Sequence, residues 1–95
     1  MLDRSFSSLE KAMATAVERQ AVIAQNIANA NTPGYEPLEF DEVLQKAVKR
    51  RDQENVSIEK EMALLADNSV KYSSYAKLMS SKVNLMKTII SQGRK

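Results

Sequence analysis

Ile23-Ala24-Gln25-Asn26-Ile27-Ala28-Asn29-Ala30-Asn31-Thr32-Pro33-Gly34-Tyr35 is the stretch on which the fold turns. Thr32 precedes a proline and is pushed out of the helical region, so a helix arriving from the N-terminal side ends at or before Asn31. Pro33 and Gly34 fit the two central positions of a type II turn, the glycine supplying positive φ. Asn26, Asn29 and Asn31 are spaced to hydrogen-bond backbone groups left unpaired where the helix stops. Upstream, from about Ser5 to Ala30, there is neither Gly nor Pro. Leu2, Phe6, Leu9, Met13, Ala16, Gln20, Ile23, Ile27 and Ala30 recur at alternating steps of four and three. That is a heptad seam, narrower than the face of an ordinary globular helix. We expect an N-terminal helix over 1–31, roughly 40 Å long at ~1.5 Å per residue.

Downstream, residues 32–55 hold both prolines and one of the two glycines. Phe40, Val43, Leu44, Ala47 and Val48 follow the i, i+3, i+4, i+7, i+8 pattern of a short amphipathic helix. The charged run Lys49 to Asn55 reads as a loop or hinge. A second long helix is expected over 56–95, with Ser57 as N-cap and Glu59 and Glu61 favouring the positive end of its dipole. Its seam is Ile58, Met62, Leu65, Ser69, Tyr72, Ala76, Met79, Val83, Met86 and Ile90, again in fours and threes. Leu78, Leu85 and Ile89 form a second stripe. The fold class is therefore all-α: two long heptad-patterned helices joined by a Pro-Gly turn and a short helix or loop. They form one structural domain and pack as a helical hairpin or coiled coil. Gln20, Ser69 and the Tyr72 hydroxyl interrupt the seams. Either they specify register, or the seam is wet there; the sequence leaves both open.

Composition excludes more than it suggests. With no His and no Cys among 95 residues, His-based triads, thiol nucleophiles, disulfides and most zinc sites are ruled out. Gly34 and Gly93 are the only glycines, too few for a phosphate loop. The carboxylates at Glu36, Glu39, Asp41 and Glu42, and at Glu59 and Glu61, sit in polar sequence and read as a solvated turn and a helix start. Lys46, Lys49, Arg50 and Arg51 lack interleaved aromatics and are flanked by acids, so they read as a solvated helix end and not as a nucleic-acid contact. We expect no enzyme activity, no cofactor and no metal. No apolar run is long enough to span a membrane, and no basic n-region with an apolar stretch opens the chain. Aromatics make up 5% of the chain, so a monomeric core would be thin. Oligomerisation is the remaining route to stability. The last acid is Asp67; the net charge of +2 conceals a basic C-terminal half.

The thirteen-residue run from Ile23 to Tyr35 resembles the N-terminal motif of the flagellar rod and hook family, in which an Asn-rich helix end leads into Thr-Pro-Gly-Tyr. Met1-Leu2-Asp3-Arg4 with Arg19-Gln20, then Glu59-Lys60-Glu61-Met62, Ala66-Asp67-Asn68-Ser69 and Lys71-Tyr72, are most similar to the proximal rod group of that family. The likeness covers most of 1–35 and 56–91. The chain departs from the group in its short middle segment.

The resemblance implies a structural subunit of the flagellar basal-body rod. Such a subunit leaves through the flagellar type III export apparatus without a cleaved signal. It then polymerises, in the periplasmic space, into the torque-transmitting shaft. Implied partners are further copies, other rod subunits, the basal-body adaptor at the export gate, and the export apparatus during secretion. Neither nucleic acid nor membrane insertion is implied. The assembly seam would be Leu2, Phe6, Leu9, Met13, Ile23, Ile27, Ile58, Met62, Leu65, Tyr72, Met79, Val83, Met86 and Ile90. Phe40 and Leu44 resemble the short motif that early flagellar substrates present to the export gate, although an i, i+4 helix face explains the pair equally. The alternative function is a cytosolic two-helix adaptor that binds partner helices.

Overall fold

The computed structural model describes residues 2–50 and 55–93, and the side chains of Leu2 and Asp3 are not among those described. Two helices dominate, α1 over Leu2–Ala28 and α2 over Ile58–Gly93. Between them lie two short strands, β1 over Leu38–Asp41 and β2 over Lys46–Lys49. The molecule is a rod of 66 × 24 × 17 Å with a radius of gyration of 18.0 Å. A compact chain of this length would have a radius of about 12 Å.

α1 runs unbroken because nothing in it interrupts the backbone ladder. It ends by tightening: Ala30 N–H reaches Ile27 O at 3.2 Å and Thr32 N–H reaches Asn29 O at 3.0 Å, both i to i−3 bonds. The Asn29 side chain donates to Gln25 O at 2.9 Å and so occupies one of the last helical carbonyls. Gly34 has φ of 78°, and Tyr35 N–H donates to Thr32 O at 3.2 Å, which reverses the chain. At the other helix, Ser57 Oγ accepts from Lys60 N–H at 3.3 Å, an N-cap bond.

The expected short helix around Phe40 to Val48 is not there. β1 and β2 pair antiparallel in the register Leu38↔Lys49, Glu39↔Val48, Phe40↔Ala47, Asp41↔Lys46. Two local features win over the helical spacing. Leu38-Glu39-Phe40-Asp41 alternates apolar and polar, the period of a strand. Asp41 Oδ1 accepts from both Val43 N–H at 2.9 Å and Leu44 N–H at 3.1 Å, which closes a four-residue loop. Gln45 completes it with φ of 55°. The fold is thus two long helices with a small β-hairpin in place of the short helix. The charged loop expected between Lys49 and Asn55 falls partly on 51–54, which lie outside the described residues.

α1 and α2 lie antiparallel, with the hairpin docked on α1 through β1. Ala16, Val22, Ile23 and Pro37 are the only buried apolar side chains among the described residues. The accessible surface is 7093 Å² for 10.6 kDa, against roughly 5,500 Å² for a compact monomer of that mass.

A Cβ added at Gly34 meets nothing within 4 Å, so a substitution there is opposed by backbone conformation alone. Gly34→Val should cost about 1–3 kcal/mol, and Gly34→Asn distinctly less because Asn tolerates positive φ. Urea denaturation of the three proteins checks the order.

Candidate functional site

Most buried side chains of this thin molecule are polar. Asn26 and Glu61 are 0% exposed, and Arg50, Asn68 and Thr15 are also buried. Three of them meet where α1, the hairpin and α2 converge. Asn26 Nδ2 donates to Leu38 O at 2.8 Å and to Glu61 Oε2 at 3.4 Å. Its Oδ1 accepts from Leu38 N–H and from the Tyr35 hydroxyl, both at 2.9 Å. An amide side chain has two donors and two acceptor positions, and Asn26 uses all four. Arg50 Nη1 pairs with Glu61 Oε1, and Nη2 donates to Leu38 O at 3.1 Å. Arg50 N–H also donates to Pro37 O at 2.9 Å, which extends the hairpin ladder by one rung.

The arrangement is one network. Asn26 comes from α1, Leu38 and Arg50 from the ends of the hairpin, Glu61 from the first turn of α2, and Tyr35 from the Pro-Gly turn. Among the described residues no buried side-chain nitrogen or oxygen lacks a partner. Burial of the Tyr35 phenol, then the nearby Glu61 carboxylate, raise its pKa above the usual 10.0, and Arg50 offsets part of the rise. A second polar contact lies further along the helix pair, where Asn68 Nδ2 donates to Ala16 O at 2.7 Å.

Several readings of the sequence change here. Glu61 is not part of a solvated helix start; it sits in the seam of α2, neutralised by Arg50. Arg50 is not a solvated helix end. Of its neighbours, Lys49 pairs with Glu36 at 2.7 Å and Lys46 stands opposite Asp41, so this basic cluster is largely answered within the chain. Arg51 lies outside the described residues. Asn29 closes the helix end, but Asn26 reaches across to the hairpin instead. Asn31, Thr32 and Pro33 are exposed.

The helix seams fall close to the expected positions on α1 and half a seam away on α2. Ile23 is buried, and Phe6, Leu9, Met13 and Ile27 are half-buried. The side chain of Leu2 is outside those described. On α2 the buried and half-buried positions are Glu61, Leu65, Asn68, Tyr75, Ala76, Met79, Lys82 and Met86. Of the expected seam they keep Leu65, Ala76, Met79 and Met86, while Glu61, Asn68 and Lys82 stand one step before Met62, Ser69 and Val83, and Tyr72 is 38% exposed. Ile58 and Met62 therefore turn outward, 49% and 51% exposed, and Val83 and Ile90 are also open to solvent. Gln20 and Ser69 are exposed, so the polar residues that hold register are Asn26, Glu61 and Asn68. The expected pair Phe40 and Leu44 does not form a helix face: Phe40 is half-buried in β1, and Leu44 is exposed at the hairpin tip beside Val43. Arg19 of α1 holds that tip through Glu42.

Among the described residues no group of three or more potential metal ligands gathers, and no helix is long and apolar enough to cross a membrane. What the network can do is hold three elements in one fixed arrangement.

Residues 6–35 match the family described as flagella basal body rod protein. The chain is also 26% identical over 123 aligned positions to the flagellar basal body rod protein FlgB of Bacillus subtilis (strain 168), with 95% of each chain covered. The matched family segment ends at Tyr35, the residue whose hydroxyl closes on Asn26. Likeness to the flagellar rod family thus rests on both the N-terminal segment and nearly the whole length.

Two measurements test the network. Glu61→Gln or Arg50→Met alone should cost ~3–5 kcal/mol by stranding a buried partner, and the double change Arg50→Met with Glu61→Leu much less than the sum. Tyr35→Phe addresses the phenol. Because its folded pKa is raised, the proton-linked stabilisation is complete below pH 10.0 and is lost as pH climbs through the folded value. The stability difference between the native chain and Tyr35→Phe, followed by circular dichroism, should therefore shrink above pH 10.0.

Proposed function

We propose that this chain, similar over residues 6–35 to the flagellar basal body rod family, is a structural subunit of the basal-body rod. The observation that carries the reading is the coincidence of the matched segment with the Asn26–Tyr35 network. Asn26 and Tyr35, both inside the matched segment, help to lock helix, turn and hairpin together. The physical character of the molecule supports it. A rod with about 30% more surface than a compact monomer, and with large aliphatic side chains exposed along both helices, gains stability by packing against neighbours.

On this reading the subunit leaves the cytoplasm unfolded through the flagellum's own type III apparatus, with no cleaved signal. It folds at its destination in the proximal rod within the periplasmic space. Other rod subunits and the adaptor at the export gate are its partners there. The finished polymer carries torque. A chain whose folded state buries four apolar side chains among those described is cheap to unfold before export. Phe40 and Leu44 are assigned to the export step, read while the chain is extended. In the folded subunit the two serve differently, Phe40 under the hairpin and Leu44 at its tip.

A tagged chain should co-purify with flagellar basal bodies; its absence from them would sink the reading. The paired change Phe40→Ala with Leu44→Ala should leave the chain soluble in the cytoplasm and cut its secretion at least tenfold. Normal secretion with failure only at assembly would remove the export role.

A further inference from the structure

One cavity gathers polar groups that the fold leaves unused. Ser8, Lys11, Ala12, Thr15 and Arg19 of α1, Glu42 of the hairpin tip and Tyr75 of α2 line a space of about 320 Å³. Lys11, Thr15 and Arg19 stand at steps of four, with Ser8 one turn before Lys11, so one face of α1 carries all four. Asn68 beside Ala16 sets an antiparallel register that brings Tyr75, two turns further along α2, level with about Leu9. The hairpin tip closes the remaining side, held there by Arg19 through Glu42.

Thr15 is the telling residue. It is 8% exposed, yet its hydroxyl makes no hydrogen bond among the described residues. Other helical hydroxyls of this chain turn back on the carbonyl four residues before them: Ser74 donates to Val70 O and Thr88 to Asn84 O, both at 3.0 Å. Thr15 does not. No fully enclosed side-chain oxygen among the described residues lacks a partner, so the Thr15 hydroxyl opens on the cavity it lines. A polar group so placed is a standing cost that an occupant of the cavity removes.

The rest of the lining says which occupant. The Lys11 ammonium has no carboxylate in reach among the described residues, and the Ser8 and Tyr75 hydroxyls have no hydrogen-bond partner there either. Glu42 is the one carboxylate of the lining, and Arg19 neutralises it. Lys11 therefore leaves the cavity with one uncompensated positive charge. An ammonium surrounded by hydroxyl donors suits an acceptor that is itself negatively charged.

We propose that this cavity is a binding site for a small oxyanion, a phosphate, sulfate or carboxylate group. Lys11 supplies the charge, and Thr15, with Ser8 and Tyr75, supplies the directed hydrogen bonds. Arg19 holds Glu42 back from the anion. A bound anion ties α1 to α2 at the level of the hairpin tip, where the described residues provide no polar link of their own between the helices. The site stands apart from the rod-subunit reading and does not depend on it.

Titration of the purified full chain with sodium phosphate, followed by amide NMR against sodium chloride of equal ionic strength, tests the site. Shifts centred on Ser8, Lys11, Thr15 and Tyr75 should saturate in the millimolar range. Lys11→Gln, at an exposed position, and Thr15→Val, which keeps the side-chain shape, should each weaken binding at least fivefold; Lys77→Gln should not change it. If Thr15→Val fails to fold, Lys11→Gln decides. Sulfate and acetate, titrated in the same way, separate a tetrahedral anion from a carboxylate, and saturation by either kind upholds the site. Shifts that grow without saturating, or saturation that survives Lys11→Gln unchanged, overturn it. Lysine acylation read by mass spectrometry gives a second measure. Phosphate should slow modification of Lys11 severalfold and leave Lys77 and Lys87 alone, and equal rates at Lys11 with and without phosphate overturn the site.

Discussion

The buried pair of Arg50 and Glu61, bridged to Asn26, is the interaction on which the rest of the structure depends. A chain with so little apolar interior cannot fix the relative placement of its elements by packing alone. Two long helices with heptad faces can slide by a turn at small cost, because each position finds a similar neighbour. A fully hydrogen-bonded polar network has only one arrangement, and leaving it half-formed strands a buried charge. Asn26 ties α1 to the hairpin, Arg50 ties the hairpin to α2, and Asn68 repeats the tie further along the helix pair. The network contributes uniqueness of arrangement more than depth of stability.

This division of labour explains the unusual surface. Apolar residues of α1 and α2 are released from the task of specifying the fold, and many of them face outward. Val17, Met62, Leu85 and Ile89 are all more than half exposed. In an ordinary monomer such exposure is a liability; in a subunit of a polymer it is the material of the next contact. The hairpin, held to α1 by Arg19 and Glu42 at its tip and by Asn26 at its base, stiffens one flank and leaves the other open.

How much of this was readable in the residues follows from range. The two long helices and the break between them were legible, because heptad spacing, absence of Gly and Pro, and Thr-Pro-Gly are local signals. The hairpin was not, since Phe40, Val43, Leu44, Ala47 and Val48 satisfy a helical period over only nine residues. At that length, apolar spacing cannot separate a short helix from a strand pair. Asp41 as a loop closer was the overlooked clue. On α2 the seam was half right, because hydropathy favours Met62 over Glu61 and Ser69 over nothing better. The true alternate positions, Glu61 and Asn68, are polar and meet α1 through partners thirty-five and fifty-two positions away, with Arg50 neutralising Glu61. Long-range polar pairing leaves no periodic trace in a single sequence.

The same ion pair gives the chain an insertion port. Arg50 and Glu61 are eleven residues apart, and their contact pins together the end of the hairpin and the start of α2. The contact closes the chain between them into a ring, and each doubling of a ring's length costs only about 0.6 kcal/mol of closure entropy. Extra sequence spliced in just after Arg50 would therefore emerge as a side module from an undisturbed helical shaft. A designer wishing to hang a binding domain or a reporter on this scaffold has its attachment point marked by a salt bridge.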